Sequence, residues 1–440
     1  MRMLPLALVL AVAASPAFAD SPADSAAAAR TWWRAARDAR ILGDRTGAML
    51  KAERAHRAWP MQWYYAYGYA AMAAEAGEPT TAARALDDLA GIGAGMDAPP
   101  DSALAALAKS STIVGESWAR VRANMTPLAA SLPRIEFPQS DSAFWPEGLA
   151  WDGKTKRFFV PSVRQHKVVA IGDDGVPHDF ATTGSLGALA VATDVKRRRL
   201  WVTSAGIPQA GALAPGDSGK AVIEAFDLDT GKSLTRMPFP PVRGFGHIPG
   251  DVCVAPGGEV FITDSEYPAI YRLSFGMVLV EWLTDPAFRS LQGQSISPDG
   301  NQLFVADYSS GIAAIDTATR GIWWLIPPAG VSILGIDGLA FYREELIGVQ
   351  NGISPPRIVR LTLGREVPRG PFSRIARFTV LDRNVPLADE PTMGVAVGDH
   401  YTYVANSQWE KYDDSGARKA GTVLTPPRLL TVSLKKGKDK

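Results

Sequence analysis

The chain is predicted to be a six-bladed β-propeller preceded by a small α-helical domain. Three observations predict it. One strand-and-turn unit recurs six times after Pro133, the units are spaced by roughly 40 to 50 residues as radial repeats of four-stranded sheets require, and the preceding hundred residues carry apolar positions at helical rather than alternating spacing. A β-sandwich is disfavoured, since nothing in that architecture calls for six copies of one pattern.

From the N-terminus, residues 1–19 have the layout of an export signal. Arg2 is the charged start, Leu4 to Ala14 the apolar run, and Ala17-Phe18-Ala19 the small residues at a cleavage site. The mature chain would begin at Asp20, in the periplasm or outside the cell. The apolar run is too short to cross about 30 Å of hydrocarbon, and no later run is long enough, so no membrane span is expected.

Residues 20–130 form the expected helical domain, rich in Ala, Arg, Trp and Leu and broken by Gly43-Asp44, Trp59-Pro60, Gly77-Glu78-Pro79 and Pro99-Pro100. Met61 to Leu89 resembles a tetratricopeptide-type helix pair, with small residues at Ala70 and Ala73, a turn at Gly77, and Ala82, Leu86 and Leu89 on the second helix. Such pairs commonly hold a protein partner. The period of about 34 residues does not recur clearly.

The propeller is expected over 134–435. First strands open at Glu147-Gly148, Gly187, Gly250-Asp251, Gln292-Gly293, Asp337-Gly338 and Met393-Gly394. Second, third and fourth strands follow in turn, except that the sixth unit runs out before a fourth. An open edge would expose unpaired backbone groups, so Arg134 to Phe137 is expected to pair with Leu429 to Val432 and close the ring. Residues 436–440 form a basic tail expected to be solvated.

Composition narrows the function. Apolar residues make up 46% and charged residues 21%, and 46 Lys+Arg against 45 Asp+Glu leave a net charge of +1. No broad basic field exists to hold a phosphate backbone, which argues against a nucleic-acid partner. Cys253 is the only cysteine, so no internal disulfide can form. No G-x-S-x-G, H-E-x-x-H, C-x-x-C or Walker A pattern is present.

In a propeller the leading residues of the first strands converge on one mouth, which gathers Glu147, Asp251, Gln292 and Asp337. Residues just past the second strands reach the same face: Asp264, Asp307, Asn351 and Asn406. His247 and Asp389-Glu390 lie on entering loops. For Asp264 and Asp307 a turn role is favoured, because Asp readily bonds its own backbone. Oxygen donors dominate, no Lys or Arg in the blade motifs neutralises them, and such a set suits a hard divalent cation, Ca²⁺ before others.

These motifs resemble the senescence marker protein/gluconolactonase family of calcium-dependent six-bladed propellers that hydrolyse sugar lactones, over residues 140 to 435. Pro146-Glu147-Gly148-Leu149-Ala150-Trp151 is similar to the family's opening motif. Gln292-Gly293, followed by Ser297-Pro298-Asp299-Gly300, stands where the family has Asn-Gly, and Asp337-Gly338-Leu339 matches its Asp-Gly motif. The resemblance implies metal binding by Glu147, Gln292 and Asp337, with Asp337 also the base. It departs at Gln292, longer by one methylene than the family's Asn, and at Gly250, where the family has an Asn before Asp. Two functions follow as expectations. One is a metal-dependent lactone or ester hydrolase, with Asp337 and His247 catalytic and Asp251, Asn351, Asn406 and Glu390 meeting a small-molecule substrate. The other is a non-catalytic binding propeller with a structural cation and a protein partner on its helices.

Overall fold

A computed structural model describes residues 22–274, 277–366 and 370–436. The export signal expected at 1–19 lies outside the described residues, as do the last four residues of the basic tail. Six helices come first: α1 (Pro22–Ile41), α2 (Arg45–Ala58), α3 (Trp63–Glu75), α4 (Pro79–Gly91), α5 (Ser102–Ser110) and α6 (Thr112–Ala123). Polar caps and breakers set their limits. Asp44 accepts from Gly47 N at the start of α2, Asp101 accepts from Ala103 N and Leu104 N at the start of α5, and Pro79 occupies the first turn of α4, where its missing N–H costs nothing. Small residues let α3 and α4 pack closely, with Ala70, Ala73, Ala82, Leu86 and Leu89 all in one core.

The rest is a propeller. β1 (Leu132–Glu136) precedes blade 1, which is β2 (Ala150–Asp152), β3 (Arg157–Ser162), β4 (Lys167–Ile171) and β5 (Pro177–Thr182). Blade 2 is β6 (Gly187–Asp194), β7 (Arg199–Ala205), β8 (Ala221–Asp227) and β9 (Ser233–Pro238). Blade 3 is β10 (Pro249–Val254), β11 (Val260–Asp264), β12 (Ala269–Leu273) and β13 (Leu279–Thr284). Blade 4 is β14 (Leu291–Ile296), β15 (Gln302–Asp307), β16 (Gly311–Asp316) and β17 (Ile322–Trp324). Blade 5 is β18 (Ile336–Tyr342), β19 (Glu345–Gln350), β20 (Arg357–Arg365) and β21 (Phe372–Arg383). Blade 6 is β22 (Gly394–Val397), β23 (His400–Val404) and β24 (Arg428–Ser433), and β1 completes it on the outside.

The ring therefore closes by the strand before blade 1, beginning two residues earlier than expected: Leu132 faces Thr431 and Glu136 faces Arg428. Each pair of neighbouring blades shares its own apolar core. Trp201, Ile223, Ile262 and Tyr271 lie between blades 2 and 3, and Phe304, Leu339, Val359 and Leu361 between blades 4 and 5. Because apolar area is buried between blades rather than inside any one, no blade is stable alone.

Glycine after the heading residue of a blade is explained by space. An added β-carbon on Gly293 would fall 2.2 Å from Asp337 O in the next blade, and one on Gly338 would fall 2.7 Å from Thr392 O. Neither glycine has positive φ, so the requirement is close approach of inner strands and not backbone freedom.

Candidate functional site

A second repeated device decides which polar residues are free for chemistry. The side chain at the end of a blade's second strand reaches back to the loop that enters its own blade. Asp307 accepts from Arg289 N at 2.6 Å, Ser290 N at 3.0 Å and Ser310 N at 2.9 Å. Asp264 accepts from Ile248 N at 3.0 Å and Glu266 N at 3.1 Å. Gln350 donates to Ser332 O at 3.0 Å and Leu334 O at 2.7 Å. These are loop clamps that satisfy buried backbone donors and acceptors.

Asn406 belongs with them, contrary to its expected place among the substrate-binding residues. Its amide nitrogen donates to Thr425 Oγ1 at 3.0 Å and Pro426 O at 2.9 Å, and its oxygen accepts from Arg428 N at 2.7 Å. It is fully buried and holds the loop before β24.

His247 also stands apart from the other expected residues. Its Nδ1 lies 2.6 Å from Asp264 Oδ2 and its Nε2 lies 3.0 Å from Pro240 O, so both ring nitrogens are engaged. Burial alone would lower its pKa, but the Asp264 carboxylate outweighs burial and raises it. It lines a separate cavity of about 330 Å³ with Lys220, Arg236 and Phe245.

The structure brings together Glu147, Gln292, Asp337, Asn351 and Glu390. They share a cavity of about 270 Å³ with Ser290, Tyr308, Thr392 and Trp409. Asn351 donates from Nδ2 to Asp337 Oδ2 at 2.7 Å and to Pro391 O at 2.9 Å, and its Oδ1 accepts from Tyr308 Oη at 2.9 Å. The amide expected to meet substrate thus has both ends committed, and it fixes the Asp337 carboxylate. Gln292 donates from Nε2 to Ser290 Oγ at 3.0 Å, which leaves Oε1 on the other side of the amide. A β-carbon at Gly250 would stand 3.0 Å from Ser265 Oγ and 3.6 Å from that oxygen, so the longer Gln292 reaches to the glycine at the head of blade 3.

Trp409, Tyr308, Ser290 and Thr392 are site residues that sequence reasoning missed. Tyr308 follows the clamp Asp307 and had a signal: it is the blade 4 counterpart of Asn351, which follows the clamp Gln350. Trp409 had none, because it comes from the long loop between β23 and β24, where no strand period applies. Its Nε1 donates to Glu147 Oε2 at 2.6 Å. The next residue of that loop, Glu410, donates its backbone N–H to Glu390 Oε2 at 3.0 Å. Trp145 and Tyr412 brace the loop, with ring centroids 4.1 Å apart and stacked.

Three carboxylates face this cavity, and no Lys or Arg is among its lining residues. Burial raises the Glu147 carboxyl well above its ordinary range, and the neighbouring Asp337 and Glu390 raise it further. Burial lifts Asp337 to about 6 against the opposing bond from Asn351. Burial lifts Glu390 to about 7, with Glu410, Asp389 and Asp337 adding to it. Lys411 on the same loop is occupied by Asp389 at 2.9 Å. Asp251 is not in this cavity; it lines the central channel with Cys253 and Gln294, accepts from Gln294 N at 2.7 Å, and is raised by burial to about 7.

The donor set fits a hard cation. Three carboxylates, the Gln292 amide and hydroxyls all offer oxygen, and neither thiol nor imidazole lines the cavity. Among the described residues no three His, Cys, Asp or Glu side chains are placed to hold an ion by themselves. Gln292 and oxygens from water or substrate would have to complete the shell.

Fold and cavity together define a six-bladed propeller with an acidic mouth. No protein-family model matches the chain, and no curated protein matches it. Similar solved structures include a gluconolactonase from Xanthomonas campestris, at 15% identity over 70% of this chain and 97% of the other, with a TM-score of 0.45. The calcium-binding protein regucalcin from Agrobacterium tumefaciens is similar at 13% identity over 68% and 93%, with a TM-score of 0.45. Virginiamycin B lyase from Staphylococcus aureus is similar at 14% identity over 61% and 80%, with a TM-score of 0.42. Likeness of this degree carries no functional inference, and the function has to be read from the cavity itself. Among the described residues no helix is long and apolar enough to cross a membrane.

Proposed function

We propose that this chain is an exported, divalent-cation-dependent hydrolase of a lactone or related ester, with calcium as the cation. The observation that carries this reading is that Glu147, Asp337 and Glu390 share one cavity whose lining holds no positive side chain. Like charges buried around one cavity either protonate or meet a counter-charge. Glu147, Asp337 and the Gln292 amide oxygen would hold the ion. A bound cation would polarise a carbonyl and lower the pKa of a water molecule.

The chain's own groups supply the rest. Asp337 Oδ2 is occupied by Asn351, which leaves Oδ1 to accept a proton from the attacking water. The water oxygen adds to the carbonyl carbon, the ring C–O bond breaks, and the departing oxygen takes back the proton held by Asp337 to give a hydroxy acid. Glu390 and Tyr308 border the space for the small-molecule substrate. The layout of residues 1–19 supports export to the periplasm or beyond.

A second reading, a non-catalytic propeller with a structural cation and a protein partner, is favoured by Ile41 at the end of α1 and Leu42 just past it, which stand 81% and 83% exposed. Elemental analysis of the purified protein, followed by a panel of lactones and esters with and without chelator, separates the two. Hydrolysis that stops with chelator and returns with Ca²⁺ is the expected result. Bound metal without turnover of any substrate would favour the binding protein, and absence of both metal and turnover would remove the hydrolase.

A further inference from the structure

The helical domain meets the propeller at the segment that carries Asn351. Trp63, the first residue of α3, donates its indole N–H to Gly352 O at 3.1 Å. Gly95, past α4, donates its backbone N–H to Ser354 O at 2.6 Å. Arg357 reaches in the opposite direction: Nη2 donates to Ile92 O at 3.1 Å, and Nε donates to Gln350 Oε1 at 2.6 Å. Gly93, at φ +86°, makes room for this guanidinium, since a β-carbon there would fall 2.0 Å from Arg357 Nη1. Ile353 is buried in the core of the helices themselves, and Leu334 packs with Trp59 and Tyr65.

Asn351 is thus flanked by two residues that the helices grip, Gln350 through Arg357 and Gly352 through Trp63. Gln350 also holds Ser332 O and Leu334 O on the approach to Asp337. Gly335, between them, donates to Tyr308 O at 2.8 Å and accepts from Gly352 N at 3.0 Å. Three residues of the mouth, Asn351, Asp337 and Tyr308, therefore hang on one hydrogen-bonded patch whose outer side is helix. Arg357 is almost fully buried, and among the described residues its hydrogen-bond partners are an amide and a backbone carbonyl and no carboxylate. The buried guanidinium is held by two neutral oxygens and lies 5.2 Å from the centroid of the Phe378 ring, so these directional contacts offset its desolvation and fix the two oxygens it joins relative to one another.

We infer that the helical domain is a positioning element of the mouth, and that Trp63 and Arg357 are positioning residues that set the placement of Asn351 and through it of Asp337. The inference rests on the reading of the mouth as a cation site only for its first readout. That readout is Ca²⁺ affinity, measured by titration calorimetry on the full chain well below its melting temperature. Trp63→Phe keeps the ring and removes the N–H, and Arg357→Met removes both donors. Each should weaken Ca²⁺ binding by roughly tenfold, as loss of groups that orient metal ligands does. Arg383→Met breaks a different contact between the domains, Nη2 to Thr126 O at 3.1 Å, and although Arg383 faces Arg357 across β20 and β21 it leaves both Arg357 hydrogen bonds in place, so the affinity should stay unchanged. The second readout needs no cation: the Asn351 side-chain amide resonance, assigned by its loss in Asn351→Ser, should shift in Trp63→Phe and stay in place in Arg383→Met. If wild type fails to bind Ca²⁺, the cation reading falls and the amide resonance alone decides the positioning role. An unmoved Asn351 amide in folded Trp63→Phe, or an equal change in Arg383→Met, overturns the inference.

Discussion

Glu147, Asp337 and Glu390 owe their raised pKa values to burial first; Asp337 adds to the shift of Glu147, and Glu410, Asp389 and Asp337 add to that of Glu390, while Asp251 below them shares the burial. Unfolded, each carboxyl would titrate near pH 4. The folded chain retains protons that the unfolded chain has released, so between these limits stability falls as pH rises. Metal-free protein should therefore lose stability as pH climbs from about 4 through about 7, the window set by Asp337 at about 6 and Asp251 and Glu390 at about 7. Urea midpoints of chelator-treated protein across that range check this, and Asp251→Asn should flatten the slope; a midpoint that rises steadily across the window contradicts the assignment. Glu147, Gln292 and Asp337 were legible as a mouth cluster because each heads a blade and precedes a glycine. His247 was not legible: its loop position says nothing of Asp264 and Pro240 closing on both ring nitrogens. Asn406 misled because an amide past a second strand looks alike in sequence whether it clamps a loop or faces the mouth.

At the level of elements, two devices set the mouth: glycines that let inner strands approach, and clamps that anchor the entering loops. Gly293→Ala would force its β-carbon against the backbone at Asp337, which should cost about 1–3 kcal/mol of stability and abolish Ca²⁺ binding, as melting and calorimetry would show together. Wild-type affinity in a folded Gly293→Ala would refute the close-approach account. Asp307→Ala strips acceptors from Arg289 N, Ser290 N and Ser310 N and should cost about 3 kcal/mol in a denaturant melt. Because Ser290 orients Gln292, the same change should also weaken the cation. The strands themselves were legible, since alternating apolar runs and tight turns recur. The loop that delivers Trp409 was not, because its path depends on stacking of Trp145 and Tyr412 and on long-range bonds that leave no period.

For the molecule as a whole, closure and cation govern cohesion. β1 pairs with β24 across almost the full sequence length of the propeller, so deleting residues up to Phe137 leaves blade 6 without its outer strand. That truncation should abolish cooperative unfolding of the propeller, and a sharp, wild-type-like melt of the product would place closure elsewhere. The closing strand was legible because a sixth unit one strand short demands a partner. The docking of the helices on blade 5 was not, because it runs through backbone oxygens at Ile92, Gly352 and Ser354 that carry no residue identity. The central claim is a cation between Glu147 and Asp337, and a ligand that binds only the folded state raises stability with its free concentration. The most direct test is the melting temperature of wild type and of Glu147→Gln/Asp337→Asn, each with chelator and with added Ca²⁺. A wild type that melts lower with chelator and recovers with Ca²⁺, beside a double variant indifferent to both, is the predicted result; a wild type unmoved by either would contradict the claim.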